Sequence, residues 1–498
     1  MAGMHDKIQS CLRSVAIVLI SVTISGAQAP SDAGSKTVPL SKVERKNKAP
    51  VSRDVLRVKL PKAAEFKLPN GLTVLVIEDH RLPLVTARLL LEGAGALGDP
   101  RDLPGLANMT AAMLKEGTKT RSSKQIAEEI ERLGATINAT APWGSEEANL
   151  TASGLSDNIG EWFPLAGDIL LNPTFPESEL NNLKQRMKVQ LRQQRSSPFF
   201  LLQERFDQAV YGNHPASITA PTPQSIDKIT QEMLAKWHSE KYVPQNALLG
   251  IAGDVRPDDV RQMLSKLPEW KGGIAKAVLP APTTPVSGRK VFVVDRSGSV
   301  QTDVALGNIA VDRIDPDYVA MVVMDRVVGG GASARLFMNL REVHGYTYGA
   351  YSHLIARRYA GPWSAQGSMR TDATAGAMTE FMNEINRIRD QPVTESELEE
   401  NKRAIVAGFA RSLEQPNQLL DYAMQLKIYG LPPDYWDTYP AKIMAVTAEQ
   451  VQRVARKYIV PDNLQIVAVG DAGKIKPVLD KFGPVEVYDT NGNPKVTP

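Results

Sequence analysis

Short apolar runs and longer amphipathic segments alternate along the chain, and together they predict strands and helices. Residues 72–77 and 290–295 are rich in β-branched side chains, which is typical of buried strands. Four apolar residues at helical spacing would form one stripe along a helix; these are Leu180, Leu183, Met187 and Leu191. Strands in succession with helices gathered to one side of the sheet indicate an α+β sandwich.

The same pattern occurs twice. Residues 175–187, FPESELNNLKQRM, match residues 393–405, VTESELEENKRAI, so Glu177 corresponds to Glu395 at an offset of 218. At an offset of 216, KYVPQNALLGIAGDV from Lys241 matches KYIVPDNLQIVAVGDA from Lys457. A period this long indicates duplication of a whole domain rather than a solenoid of short units.

These patterns divide the chain into six predicted parts. They are a signal peptide at 1–29, a flexible segment at 30–58, a first repeat at 59–270, a linker at 271–289, a second repeat at 290–485 and a C-terminal tail at 486–498. Each repeat is predicted to form an α/β sandwich, with an antiparallel-type sheet and helices on one side.

The first residues have the composition of an export signal. Lys7 and Arg13 precede an apolar run at 15–24 and then a small-residue stretch at 25–29, which predicts a cleaved secretory signal and a periplasmic or secreted protein. Cys11 is the single cysteine and lies inside that signal, so the mature chain would have no disulfide. Lys and Arg number 58 against 55 Asp and Glu, and a net charge of +3 gives no sign of a nucleic-acid partner.

Residues 68–118 and both repeats resemble the pitrilysin/insulinase metallopeptidases, the inverzincins. In catalytic members, the helix after a GLA sequence carries H-x-x-E-H, whose two histidines bind zinc while the Glu acts as general base. Here the five positions are Asn108, Met109, Thr110, Ala111 and Ala112, so Asn108, Ala111 and Ala112 replace His, Glu and His. The resemblance also implies a distal Glu ligand on a later helix, predicted at 181–203, and that segment contains no acidic residue. It therefore implies no zinc bound by this chain.

The histidine count leads to the same expectation without any family. Catalytic zinc usually takes three protein ligands and a water molecule. The chain has six histidines, at positions 5, 80, 214, 238, 344 and 353; the first leaves with the signal, and no two of the others are three or four residues apart. A metal site assembled from distant histidines stays open as an alternative.

In the second repeat, residues 329–354 resemble the family segment in which an Arg and a Tyr seven residues apart contact substrate. The matching residues are Arg341 and Tyr348. Arg341 is predicted on the last turn of a helix that stops near Gly345, and Tyr348 at the start of the next strand. Composition alone allows a plainer interpretation, in which Arg341 pairs with an acid such as Glu342 or Asp325 and Tyr348 fills the sheet edge.

The resemblance implies a two-subunit enzyme in which two clam-like half-shells close over a peptide. This chain would supply the Arg/Tyr pair, and a homologous heterodimer partner with H-x-x-E-H would bring the zinc. Peptide substrate could add as a strand to an edge in the segment 136–155. A non-catalytic scaffold or peptide-binding protein on the same fold is the alternative, while independent catalysis by this chain has no supporting motif.

Overall fold

A computed structural model describes residues 56–273 and 281–495, so the predicted signal peptide and most of the flexible segment lie outside the described residues. The described chain contains twelve strands: β1 Ala64–Lys67, β2 Thr73–Glu78, β3 Leu84–Glu92, β4 Thr136–Thr140, β5 Glu147–Leu155, β6 Ala247–Gly253, β7 Lys290–Asp295, β8 Gln301–Ile309, β9 Thr347–Ala356, β10 Ala360–Arg370, β11 Gln465–Gly470 and β12 Val485–Tyr488. Among those residues, no helix is both long and apolar enough to cross a bilayer.

Sixteen α-helices accompany the strands within the described ranges. They are α1 Leu106–Met113, α2 Ser123–Arg132, α3 Ile159–Leu171, α4 Glu177–Gln194, α5 Pro198–Tyr211, α6 Pro223–Lys228, α7 Gln231–Lys241, α8 Pro257–Ser265, α9 Tyr318–Gly329, α10 Arg335–Phe337, α11 Thr374–Asp390, α12 Glu395–Ser412, α13 Pro416–Ile428, α14 Tyr435–Met444, α15 Ala448–Tyr458 and α16 Ala472–Leu479. A π-helical turn, Met338–Val343, follows α10 directly.

The strands form two six-stranded sheets of matching topology. The first has the order β1-β2-β6-β3-β5-β4 and the second β12-β7-β11-β8-β10-β9. Most neighbours are antiparallel, but β2 pairs with β6 in parallel, and β7 pairs in parallel with both β11 and β12. The predicted α+β class with two homologous sandwiches is therefore confirmed, with mixed sheets in which helical crossovers connect the parallel strands.

The duplication is visible element by element. Helices α4 and α12 each have 18 residues and begin at Glu177 and Glu395, the two residues that the sequence comparison aligns. Each sheet packs its inner face against helices of its own repeat, which gives two separate apolar cores. One is built around α1, α3 and β3, and the other around α9, α11 and β8.

The outer faces are covered by an exchange of helices between the repeats. Helix α5 of the first repeat packs Phe206 and Val210 against Val467 of the second sheet. Its counterpart α13 packs Leu420 and Met424 against the outer face of the first sheet. Each sheet thus has its own helices on one face, as predicted, and one helix of the other repeat on the opposite face.

Gly250 shows how closely α13 approaches the first sheet. A Cβ atom built on this residue of β6 would lie 2.7 Å from Sδ of Met424 and 2.8 Å from Cδ1 of Leu420. A larger residue at 250 would therefore push the exchanged helix away from the strand.

Both ends of the described chain join the second repeat. The N–H of Leu60 donates to Asp437 Oδ1 at 2.9 Å, and Leu56 packs against the second core. At the other end, β12 pairs with β7 through Tyr488, three residues into the segment predicted as a tail. The backbone hydrogen bonds of a sheet edge explain this extension, which the sparse apolar residues after 485 do not reveal.

Candidate functional site

Helix α1, which carries the five motif positions, is held at its start by a half-buried carboxylate. Asp99 accepts hydrogen bonds from the backbone N–H groups of Gly105 at 2.7 Å and Ala107 at 2.8 Å. Gly105 adopts a φ of +104°, a conformation that favours glycine, and so lets the chain turn into the helix. Burial raises the pKa of Asp99 to about 7, although the backbone donors lower it. The helix start is therefore fixed by a residue outside the motif.

The motif positions form a packed helix rather than a polar site. Met109, Thr110 and Ala111 are buried, and the Thr110 hydroxyl donates to its own helix at Leu106 O, 2.8 Å away. Asn108 is half-buried, and its Nδ2 donates to the backbone carbonyl of Ala141, just beyond β4. Its Oδ1 is buried and has no hydrogen-bond partner among the described residues.

These residues do not fit a zinc ion. The methyl groups of Ala111 and Ala112 supply no donor atom, and Asn108 offers one amide oxygen where a catalytic site needs three protein ligands. Nearby, the carboxylate of Glu116 is engaged by Ser123 Oγ at 2.7 Å and by Arg186 of α4 at 3.5 Å. Within residues 56–273 and 281–495, no group of three or more His, Cys, Asp or Glu side chains is arranged to hold a metal ion.

The prediction of a single helix over residues 181–203 is wrong. Helix α4 ends at Gln194, and α5 begins at Pro198 after Ser197, whose hydroxyl accepts the N–H of Phe200. Proline has no N–H to donate and is well suited to the first turn of a helix, so Ser197-Pro198 starts a new one. The part of the segment in α5 lies against the second sheet, not beside α1.

The two buried histidines are structural. His214 Nε2 lies 3.0 Å from Ala281 O and its ring packs on Tyr359, while His238 Nε2 lies 2.8 Å from Leu170 O. Burial lowers the pKa of both rings. Exposed His80 lies between Asp254 and Glu78, which raise its pKa through hydrogen bonds. Within the described ranges, the histidines do not come together as the alternative metal site would require.

Arg341 lies in the π-helical turn before β9. The N–H of His344 donates to Asn339 O at 3.1 Å, a π-type hydrogen bond, and the turn ends at Gly345 with a φ of +63°. Such turns insert one extra residue into a helix and are frequent at functional sites. The Arg341 guanidinium is half-exposed and lies 4.7 Å from the ring centroid of Phe337, a cation–π contact that limits its freedom.

Tyr348 is the second residue of β9 and is 88% exposed. Strand β9 pairs only with β10 among the described residues, so it is the edge of the second sheet. The plainer interpretation, in which Arg341 pairs with a nearby acid, holds for Glu342, because Arg341 Nε lies 3.4 Å from Glu342 Oε1. Asp325 is instead buried, where it accepts Trp363 Nε1 at 2.9 Å. Tyr348 is exposed to solvent, and its hydroxyl has no hydrogen-bond partner among the residues that the structure describes.

Two family models match this chain. Residues 73–224 match the model described as insulinase, peptidase family M16, and residues 228–405 match the model described as the peptidase M16 inactive domain. The chain belongs to peptidase family M16. The division between the two models at 224–228 falls within α6, well inside the first repeat as the sheets define it.

Full-length relatives of this M16 chain include proteins with contrasting names. An uncharacterized zinc protease YmxG of Bacillus subtilis is 22% identical over 80% of this chain and 96% of its own. A non-peptidase homolog YmxG of Helicobacter pylori is 23% identical over 81% of this chain and 93% of its own. Relatives at this level of sequence identity therefore include a protein named as a zinc protease and a protein named as a non-peptidase.

Solved structures show the same fold. A peptidase M16 inactive domain from Pseudomonas fluorescens is 27% identical, with a TM-score of 0.74 over 82% of this chain and 98% of that one. A protease from Helicobacter pylori is 20% identical, with a TM-score of 0.75 over 82% of this chain and the whole of that one. The agreement extends through both sheets, since one repeat alone could not cover so much of the chain.

The edge strand of the first sheet adjoins the altered motif of this M16 chain. Within the candidate segment 136–155, β4 is the outer strand and pairs only with β5 among the described residues, whereas β5 is enclosed between β4 and β3. Lys115 Nζ contacts Asn138 Oδ1 of β4 at 3.3 Å. The prediction of a peptide-accepting edge thus applies to Thr136–Thr140.

Sequence reasoning missed the contact that joins the repeats near this edge. Arg358, in the β9–β10 connection, forms an ion pair with Glu92 and lies 3.6 Å from Glu146, and Tyr359 donates to Gly144 O at 2.6 Å. Glu92 ends β3 and Glu146 precedes β5. One cationic and one phenolic side chain of the second repeat, Arg358 and Tyr359, therefore contact the first repeat. Only the consecutive arginines at 357–358 hinted at this role.

Proposed function

We propose that this chain is the zinc-free subunit of an exported two-chain peptidase, to which it supplies Arg341 and Tyr348. One observation carries the proposal: the helix of the zinc motif is packed and without ligands, whereas Arg341 and Tyr348 remain exposed beside an edge strand.

The two side chains suit the stabilisation of negative charge. Peptide hydrolysis places charge on the carbonyl oxygen, and preorganised donors stabilise it better than water does. Arg341 offers a planar guanidinium with several N–H donors, and Tyr348 adds a hydroxyl donor on a rigid ring. The contact of Arg341 with Phe337 orients the guanidinium, while the long Arg341–Glu342 pair of 3.4 Å is weak enough to be displaced by substrate.

The remaining parts belong to the partner. It would be a homologous subunit with an intact H-x-x-E-H helix, and its zinc would activate the attacking water. The two chains would close as half-shells over a peptide, with β4 and β9 as edges that accept its backbone. Export of this chain rests on the composition of residues 1–29.

Purified proteins test this division of labour. The mature chain alone should contain no stoichiometric zinc and cleave no peptide in a fluorogenic peptide library. After addition of the H-x-x-E-H subunit, we expect a stable heterodimer and proteolysis that a chelator abolishes and zinc restores. Metal-dependent cleavage by this chain alone, or a heterodimer no more active than the zinc subunit by itself, would refute the proposal.

A non-catalytic scaffold or peptide-binding role is the second candidate, favoured by the full-length relative named a non-peptidase homolog. Under this alternative the heterodimer cleaves no peptide but binds unfolded chains at β4 or β9. Isothermal titration with an uncleaved peptide, together with the activity measurement, separates the two functions.

A further inference from the structure

We propose that the first repeat binds an unbranched apolar chain with an anionic head, such as an acyl lipid, in a cavity of about 650 Å³. The cavity lies between the inner face of the first sheet and helices α3 and α8. It opens near Trp270 and Lys271. Its volume lies within the range of small-molecule sites, which are mostly apolar with a few polar groups at one end.

The walls are apolar on every side of the interior. Strands β3, β5 and β6 contribute Leu89, Leu150 and Leu249, and helix α3 contributes Phe163 and Leu170. Apolar cavities of this kind hold no ordered water and accept hydrocarbon, because the walls offer no hydrogen bonds. The interior therefore selects an alkyl chain over a polar ligand.

The second repeat fills the corresponding space with its own side chains. The short 3₁₀ turns Ser156–Asn158 and Thr371–Ala373 precede α3 and α11 at an offset of 215, so Ala166 corresponds to Phe381 and Gly167 to Met382. Phe381 is fully buried, and its ring reaches within 3.3 Å of a Cβ built on Gly367. The position equivalent to Gly367 in the first repeat is Ala152, which lines the cavity. The phenyl ring of Phe381 thus fills in the second repeat the space that is an open cavity in the first repeat.

Charged groups at the mouth specify the head of the ligand. Arg261 stacks its guanidinium 3.7 Å from the Phe66 ring centroid, and its nearest carboxylate, Asp258, is 3.9 Å away. Lys271 adds a second cation, and Glu269 is the one carboxylate among the lining residues. Arg261 and Lys271 place two cationic N–H donors at the mouth, where they can pair with the carboxylate or phosphate head of a ligand whose chain lies in the cavity.

Trp270 closes one side of this mouth and is held in place. Its Nε1 donates to Tyr242 O at 2.9 Å, and its carbonyl accepts Asn70 Nδ2 at 3.3 Å. The indole therefore reports on occupancy of the cavity. The site uses no residue of the π-helical turn or of β9, so binding can be measured whether or not the proposed peptidase role holds.

Titration of the full mature chain with a fluorescent fatty acid tests the inference. We expect saturable binding of one equivalent, a change in tryptophan emission, and displacement by saturated fatty acids that strengthens with chain length before levelling off. Lysophosphatidate in a parallel arm distinguishes a phosphate head from a carboxylate head. Failure of both amphiphiles to bind would overturn the proposal.

Variants locate the ligand. Ala166→Phe copies the second repeat and should weaken binding by at least about tenfold, or about 1.4 kcal/mol. The matched control is Ala127→Phe, the same change at an exposed position of α2, which should bind as the unaltered chain does. If Ala166→Phe does not fold, Ala87→Leu on β3 narrows the same cavity. Unchanged binding by a folded cavity variant contradicts the site.

A change at the mouth tests the head group. Arg261→Ala should weaken binding of the fatty acid severalfold yet leave binding of its uncharged methyl ester unaltered. Equal loss for acid and ester would show that Arg261 acts only through packing and would overturn the assignment of an anionic head.

Discussion

The side-chain amide of Asn108 donates a hydrogen bond to the backbone carbonyl of Ala141, and so fastens helix α1 to the end of edge strand β4. In catalytic relatives of the kind the sequence resembles, this position supplies a zinc-binding imidazole. Here it has a structural contact instead, and its neighbours Met109 and Ala111 are buried in the first core. The helix therefore keeps its place beside the substrate edge without the chemistry of a metal site.

Asn108→Ala should destabilise the chain by about 1 kcal/mol, because it leaves the buried Ala141 carbonyl without a donor. Urea unfolding measures the change in free energy. The control is Asn138→Ala, an exposed amide on β4 whose loss should alter stability by less than about 0.5 kcal/mol. Equal effects of the two substitutions would remove the structural role assigned to Asn108.

The junction of the repeats should respond to pH through Glu146. Burial raises the pKa of Glu146 to about 7, while Arg358 acts in the opposite direction and Glu147 and Glu92 add to the rise. The folded-state pKa of Glu146 lies above the ordinary value of 4.5. The stability that Glu146 contributes in its protonated form is therefore fully present below pH 4.5 and is lost as the pH rises through about 7.

Glu146→Gln removes this titration. The variant should therefore gain stability relative to the unaltered chain between about pH 4.5 and pH 7, as thermal unfolding at a series of pH values would measure. A difference between the two proteins that stays constant over this range would show that Glu146 does not titrate with a raised pKa.

The exchanged helix α5 should couple the two repeats. Phe206 is buried against the second sheet, so Phe206→Ala should cost about 3 to 5 kcal/mol in free energy of unfolding. Phe199 lies on the same helix and is 66% exposed, so Phe199→Ala serves as the matched control and should cost little. Similar losses in the two variants would mean that α5 does not depend on its packing against the second sheet.

The two-repeat architecture was predictable because both halves of the sequence contain the same motifs in the same order, with the same spacing of hydrophobic residues. The match of Glu177 with Glu395 located two equivalent helices, and the run of β-branched residues at 290–295 located β7. The helix exchange was not predictable. The apolar stripes of α5 and α13 look alike whichever sheet they cover, and the partner face is fixed only by three-dimensional complementarity such as that at Gly250.

The candidate site was predictable to a similar extent. The motif placed Arg341 before a Gly345 stop and Tyr348 at the start of β9, where the structure has them. The π-helical turn and the Phe337 contact escaped prediction, because one extra residue in a helix leaves no compositional trace. The break at Ser197 was readable from Ser-Pro, because serine is a common helix N-cap and proline fits the first helical turn.

The most direct test of the account is the activity of the heterodimer with single changes at the exposed pair. Arg341→Ala should lower kcat/KM about 10²-fold or more and Tyr348→Phe by a smaller factor, with zinc content unchanged. Arg370→Ala, at another exposed position of the same sheet, should retain full activity. Full activity of the Arg341→Ala heterodimer, or an equal loss in the Arg370→Ala control, would contradict the role given to this chain.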